Sequence, residues 1–291
     1  MAFFNIQRST LSTILLAALL FVVSVIECRR NLLFESYVTY PAINCRKHTA
    51  FLTDFGGNGD GKASNTVVFQ AAIQNLSQVA DDGGAQLIVP PGKWVTGSFN
   101  LTSHFTLFIQ SGAVILASQD AGEYPVVEPL PSYGQGRDGP GGRFSSLIGG
   151  SHLTDVVITG DNGTIDGQGS IWWKKFNRKK LKNTRPYLIE VMYSNHVQIS
   201  SVTLIDSPSW FVHPVYSSDI IIQDLTIRAP VDSPNTSGII PVIKQVGRRF
   251  GCHRAAGESR SSSSREEEEE EAAGASVWSA VVREEEAESL G

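Results

Sequence analysis

Methionine and cysteine are scarce, with 2 and 3 copies in 291 residues, and only 18% of the chain is charged. The cysteines, Cys28, Cys45 and Cys252, share no local spacing. That excludes a disulfide framework or a metal site legible from sequence, and no metal or cofactor is expected. Clustered lysine and arginine are nearly absent, so a nucleic-acid surface is not expected either. The one basic run is "KKFNRKKLK", Lys174 to Lys182. It reads either as a solvated loop or as a rim that attracts anions. The net charge is −5, and from Lys244 onward 11 acidic residues face 7 basic ones, or −4, which leaves the preceding body almost neutral. What is plentiful is glycine together with Val, Ile, Thr and Ser, a composition that favours short strands joined by tight turns. An all-β fold is therefore expected, and the length allows a sizeable core.

The first 28 residues place a single arginine ahead of an uninterrupted apolar run, Ile14 to Val23. This is the pattern of a secretory signal, with an uncleaved membrane anchor as the alternative. The expected location is extracellular or cell-wall. Four Asn-x-Ser/Thr acceptor sequences, at Asn75, Asn100, Asn162 and Asn235, fit that route.

From Leu87 onward, short apolar runs alternate with turn residues. Val197 and Ile199 align with Ile220 and Ile222 at a spacing of 23 residues, and a comparable step separates Val89 from Ile109. Periods of this size signal stacked repeats. At about 3.3 Å per strand residue, such a coil holds three short strands and their turns but no helix, which predicts a parallel β-helix. A leucine-rich repeat would need regularly spaced Leu and Asn, which are missing. Between Ile158 and Ile199 the step lengthens to admit "SIWWKKFNRKKLKNTRPY". Trp172 and Trp173 there read as a sugar-stacking platform or as packing. Ahead of the coils, Asn65 or Thr66 is positioned to cap a helix with Val68, Ala71, Ala72, Leu76 and Val79 as its apolar face, ended by "DDGG". That helix would cover the otherwise open first coil.

The segments "TDFGGNGDGKASNTVVFQAAI", "GTIDGQGSIWW", "RPYLIEV" and "SPSWFVHPVYSSDIIIQDLTI", in this order, resemble plant glycoside hydrolases of the polygalacturonase family, from roughly Cys45 to Pro241. The resemblance implies a right-handed, single-stranded parallel β-helix of the pectin-lyase-like kind. It also implies inverting hydrolysis of α-1,4-galacturonan, with pectin as the partner. Such chemistry needs one carboxylic acid to protonate the leaving oxygen and another to activate water.

In that family the acids come from Asn-Thr-Asp and Gly-Asp-Asp segments, followed by Gly-His-Gly and Arg-Ile-Lys. Here Asn235 and Thr236 match the first segment, but Ser237 stands where its acid is expected, and none of the other three segments follows. Asn235, His213 and Trp172 are the candidate substrate-binding residues, and no catalytic residue is assigned. Asp166 and Asp206 sit beside turn residues, where backbone hydrogen bonding is their expected task. Three readings follow: a polygalacturonase-like hydrolase left inactive by missing coils, a catalytically empty pectin-binding β-helix, and a calcium-dependent pectate-lyase-like protein. The expected organisation is a signal or anchor at 1–28, an incomplete β-helix at 45–243 and a disordered acidic tail at 244–291, which would leave the last coil with an open edge.

Overall fold

The computed structural model describes residues 46–131, 136–242 and 278–284. The N-terminal apolar segment, all three cysteines and most of the acidic tail lie outside them. Among the described residues no helix is long and apolar enough to cross a membrane.

The strands follow the chain as successive rungs. They begin with β1 (His48–Phe51), β2 (Asp60–Ser64), β3 (Ala85–Val89) and β4 (Gly92–Thr96). The next coil holds β5 (Phe99–Asn100), β6 (Phe105–Ile109) and β7 (Ala113–Ala117), and a short antiparallel ribbon of β8 (Val126–Val127) and β9 (Arg143–Phe144) stands beside it. Then come β10 (Ile148–Ser151), β11 (Thr154–Gly160) and β12 (Thr164–Asp166), followed by β13 (Ile189–Met192), β14 (Asn195–Ser200) and β15 (Thr203–Ile205). The last full coil is β16 (Val212–Val215) and β17 (Ser218–Arg228), the latter pairing with both β14 and β15. Apart from the β8–β9 ribbon, every ladder is parallel. This is a parallel β-helix. One sheet wraps two faces of it, and β5, β10, β13 and β16 form a second sheet on the remaining face.

The register follows the sequence repeat. Val197 pairs with Ile220, Ile199 with Ile222, and Val89 with Ile109. Inward positions stack into continuous apolar columns, such as Leu87, Leu107, Ile158, Ile199 and Ile222, all 0–1% exposed. Left-handed residues turn the coils: His152, Tyr193 and Tyr216 occupy equivalent corners at φ 58°, 49° and 49°. Their rings stack at 5.1 Å per step, close to the rung spacing of about 4.8 Å.

A 12-residue helix, α1 (Thr66–Ser77), covers the first coils. Its buried face is Phe69, Ala72, Ile73 and Leu76: of the expected positions Ala72 and Leu76 are buried and Val68 is partly so, whereas Ala71 and Val79 are exposed and Phe69 and Ile73 take their place. Val79 is 37% exposed because the helix ends two residues before it and the chain turns away. Asn65 occupies the N-cap position, but its side chain does not cap. Instead it accepts from Asn58 N at 2.8 Å and donates to the carbonyls of Asn58 and Ala63, both at 3.0 Å, pinning the "GGNGDG" turn against the helix start. Phe69 lies flat on Phe99, with ring centroids 4.5 Å apart. Truncating a fully buried phenylalanine costs about 3–5 kcal/mol. Phe69→Ala should therefore lower stability by that amount in urea unfolding, while the exposed Val67→Ala should change it little.

The far end differs from the sequence expectation. Trp278–Glu284 forms β18, which pairs in parallel along β17 from Ile220 to Ile227. The expected wholly disordered tail and unpaired last edge therefore do not describe these seven residues. An exposed parallel edge offers a row of unpaired N–H and C=O groups, and any strand with spare backbone groups satisfies them. The remainder of the expected tail lies outside the described residues.

Candidate functional site

The second sheet carries a buried charged cluster on its outer face. Ile189 and Val191 point inward to the core, so the alternation of a strand sends Glu190 outward. One rung later the ladder places His213 opposite Glu190. Both are buried, at 3% and 0% exposure, beneath the chain that leads into β9 and the stacked rings of Tyr187 and Trp210.

Both oxygens of Glu190 are engaged. Oε1 lies 2.9 Å from His213 Nδ1, and Oε2 accepts a short charge-assisted bond from Arg143 Nη1. Arg143 also donates from Nε to the Glu128 carbonyl at 3.1 Å. His213 meets Tyr187 and Trp210 edge-on, at 4.6 and 4.8 Å, and its Nε2 is buried with no partner among the described residues. Burial, and then the Glu190 charge, push the Tyr187 hydroxyl up to about 12.

A second buried arginine closes the same face. Arg185, fully buried, donates to Asp138 Oδ2 at 2.9 Å and to the carbonyls of Pro208 and Pro234 at 2.9 and 2.8 Å. Its guanidinium lies over Phe176, 4.1 Å from the ring centroid. Above both arginines, the exposed Arg137 sits 3.8 Å over the Trp210 ring. The loop that carries Arg137 is tied to the basic run by Gly141 N donating to Lys182 O at 3.0 Å. Arg137, Arg143 and Arg185 against Glu190 and Asp138 leave a positive balance, which the mostly exposed lysines of 174–182 extend. The basic run starts in helix α2 (Ser170–Asn177) and continues beyond it.

The sequence-predicted binding residues separate here. Trp172 is 1% exposed and wedged edge-on between Tyr124 and Phe144, at 5.8 and 5.0 Å. No ring face remains open to a sugar, so Trp172 is packing and the stacking-platform expectation is corrected. His213 belongs to the site, but it is fully buried and orders Glu190 rather than offering itself to a ligand. Asn235 is exposed in the turn after β17, next to the Pro234 carbonyl held by Arg185. Sequence reasoning did not single out Glu190, Arg143, Arg185, Arg137 or Trp210. One signal was available: Glu190 and His213 are separated by the same 23 residues as the repeat, so a polar pair recurs at one column of an otherwise apolar ladder.

Asp166 and Asp206 sit elsewhere, at the last residue of β12 and on the turn that follows β15. Asp166 accepts from Gln168 N at 2.8 Å, the turn role expected of it. Burial raises both carboxyls above the ordinary 3.8, and the Asp166 charge raises Asp206 further. A raised folded-state value means that the native state holds its proton longer than the unfolded chain does. This pair therefore costs no stability below 3.8, and the cost grows as pH rises through the raised values. Asp206→Asn should remove part of that decline and raise the melting midpoint at neutral pH, with no change in acid. Asparagine also tolerates the φ of 49° at this position. A neutral-pH midpoint lower than the parent's would contradict this.

The turns approach each other closely. A Cβ on Gly167 would meet Asp206 O at 2.6 Å and Ser207 Cα at 2.7 Å, so only glycine fits there. A separate cavity of about 410 Å³ lies between α1 and β5, lined by Gln70, Gln74, Ser77, Ser98 and Asn100 with no charged side chain. It offers nothing to an acidic ligand.

Comparison with known proteins agrees with this architecture. A profile of the Glycosyl hydrolases family 28 matches residues 132–244. A probable polygalacturonase from Vitis vinifera is 58% identical over 247 residues, covering 85% of this chain and 50% of that protein. Among solved structures, the hyperthermoactive exopolygalacturonase of Thermotoga maritima superposes with a TM-score of 0.54 at 26% identity, over 68% of this chain and 51% of that one. The polygalacturonase of Erwinia carotovora ssp. carotovora gives 0.54 at 25% identity, over 71% and 54%. The chain spans about half the length of the curated relatives it matches. The chain is plant polygalacturonase-like, and its residues 132–244 match the profile of the Glycosyl hydrolases family 28.

Proposed function

We propose that this protein serves pectin breakdown in the plant cell wall, with a scaffold of the galacturonan-hydrolysing kind. We further propose that a chain of this sequence binds polygalacturonan through the outer face of the second sheet without cleaving it. The observation that carries this reading is Arg137, an exposed guanidinium laid over Trp210 and backed by the buried Arg143–Glu190–His213 cluster. An acidic sugar presents a carboxylate for the cation, and Trp210, stacked on Tyr187 beneath Arg137, holds that guanidinium in place. The lysines of 174–182 add the long-range attraction that a polyanion feels at low salt. Kinship with polygalacturonases and the secretory pattern of the first 28 residues support export to the cell wall.

Affinity electrophoresis in gels containing polygalacturonate tests the reading. Migration should be retarded without calcium, and a neutral galactan should have no effect. Hydrogen bonds to charged groups are worth about 1.5–3 kcal/mol, so Arg137→Ala should weaken retention by about 10- to 100-fold. Strict calcium dependence would favour the lyase-like reading instead. Equal retention of the Arg137→Ala chain would place binding elsewhere.

A further inference from the structure

Asn235-Thr236-Ser237 completes an N-glycosylation acceptor at the rim of the second-sheet face. The serine at 237, which departs from the acidic segment discussed above, is the residue that creates the acceptor. Asn235 is exposed and sits at φ 57°, a left-handed conformation that asparagine tolerates. Its side chain has no hydrogen-bond partner among the described residues, whereas Asn162, also exposed, accepts from Thr203 Oγ1 at 2.9 Å.

The turn that presents Asn235 is held on both sides. Pro234 O accepts from Arg185 Nη1 at 2.8 Å, and Ser237 O accepts from Phe211 N at 3.0 Å. Ser233 Oγ bonds Thr236 Oγ1 at 2.5 Å and Pro230 O at 2.6 Å, which closes the loop behind the acceptor. Phe211 adjoins Trp210, the ring beneath Arg137, so the fixed turn borders the proposed binding face.

We infer that Asn235 carries an N-linked glycan in the secreted protein, and that this glycan stands over the edge of the polygalacturonan-binding face and weakens binding there. The inference rests on the export and binding readings above. In the chemistry, the Asn235 amide nitrogen bonds the anomeric carbon of a neutral, bulky lipid-linked oligosaccharide as the bond from that carbon to the lipid diphosphate breaks, so the lipid diphosphate leaves and takes up the charge while the amide proton passes to solvent.

The test is expression of the full chain in a secreting plant or yeast host, followed by peptide-N-glycosidase treatment in heavy-oxygen water and peptide mapping. The isotope should mark Asn235, and Ser237→Ala, which leaves the asparagine and its turn intact, should abolish that mark alone. Enzymatically deglycosylated protein and the Ser237→Ala chain should each be retained at least about threefold more strongly in polygalacturonate gels than the glycosylated parent. A bare Asn235 alongside glycans at Asn75 or Asn100 would overturn the inference while leaving export standing. Four bare acceptors would overturn it together with the export reading. Occupancy at Asn235 with unchanged retention would overturn the claim that the glycan covers the binding face.

Discussion

Incubated with polygalacturonate, a chain of this sequence is expected to release reducing ends no faster than a blank. Inverting hydrolysis needs two available carboxyl groups about 6.5–9.5 Å apart, one acid and one base. On the second-sheet face, Glu190 has one oxygen on Arg143 and the other on His213, and Asp138 is held by Arg185. At position 237 stands a serine, whose hydroxyl is no acid at the pH of these reactions. Each positioned acid or base supplies roughly 10²–10⁴-fold in rate, so the loss of both removes measurable turnover. Ser237→Asp alone should not recover it, because the second carboxyl is still missing. Sustained release of reducing ends by the parent chain would mean that a carboxyl outside this face, with the Asp166 and Asp206 pair as the first candidates, performs the reaction.

The buried cluster gives the other large effect. Removing one member of a buried ion pair leaves an uncompensated charge, at a cost of about 3–5 kcal/mol. Glu190→Ala strands Arg143, whose side chain is 7% exposed, and leaves His213 Nδ1 without its acceptor. For a body of this size, each kcal/mol moves the midpoint by about 2–4 °C, so a fall of about 6–20 °C is expected. Replacing both charges with apolar groups of similar volume, Glu190→Leu with Arg143→Met, should recover most of the loss, since a buried pair contributes little net stability over a packed isostere. A midpoint for Glu190→Ala within a degree or two of the parent would show that water reaches Arg143.

The solenoid was legible because its stabilising rule is repetitive. Inward positions must stack on one another, so Val197 announces Ile220 and Ile199 announces Ile222 before any coordinates exist. The capping helix was legible as an element and in part of its facing, Ala72 and Leu76. Val68 and Val79 are as apolar as Phe69 and Ile73, and what decides between them is the flat contact of Phe69 on Phe99, thirty residues away. The site was harder to read, since Arg143, Arg185 and Arg137 come from loops whose positions no period sets. Trp172 misleads for a related reason. An aromatic pair beside a basic run looks like a ligand platform, yet only tertiary packing shows Tyr124 and Phe144 closing over the first of the two. The pairing of β18 was hidden by composition, because the acidic run ahead of it masks a short stretch, "VWSAVV", that can complete an open edge.

The most direct measurement of the central claim is hydrogen exchange with and without an oligogalacturonate. The account predicts slowed exchange confined to 136–143, 174–185 and 230–238, the segments that border Arg137, Trp210 and Asn235, with the ligand recovered uncleaved. Slowing at the uncharged cavity beside Gln70 and Asn100, or no change at a ligand concentration that saturates retention in the gel, would contradict it.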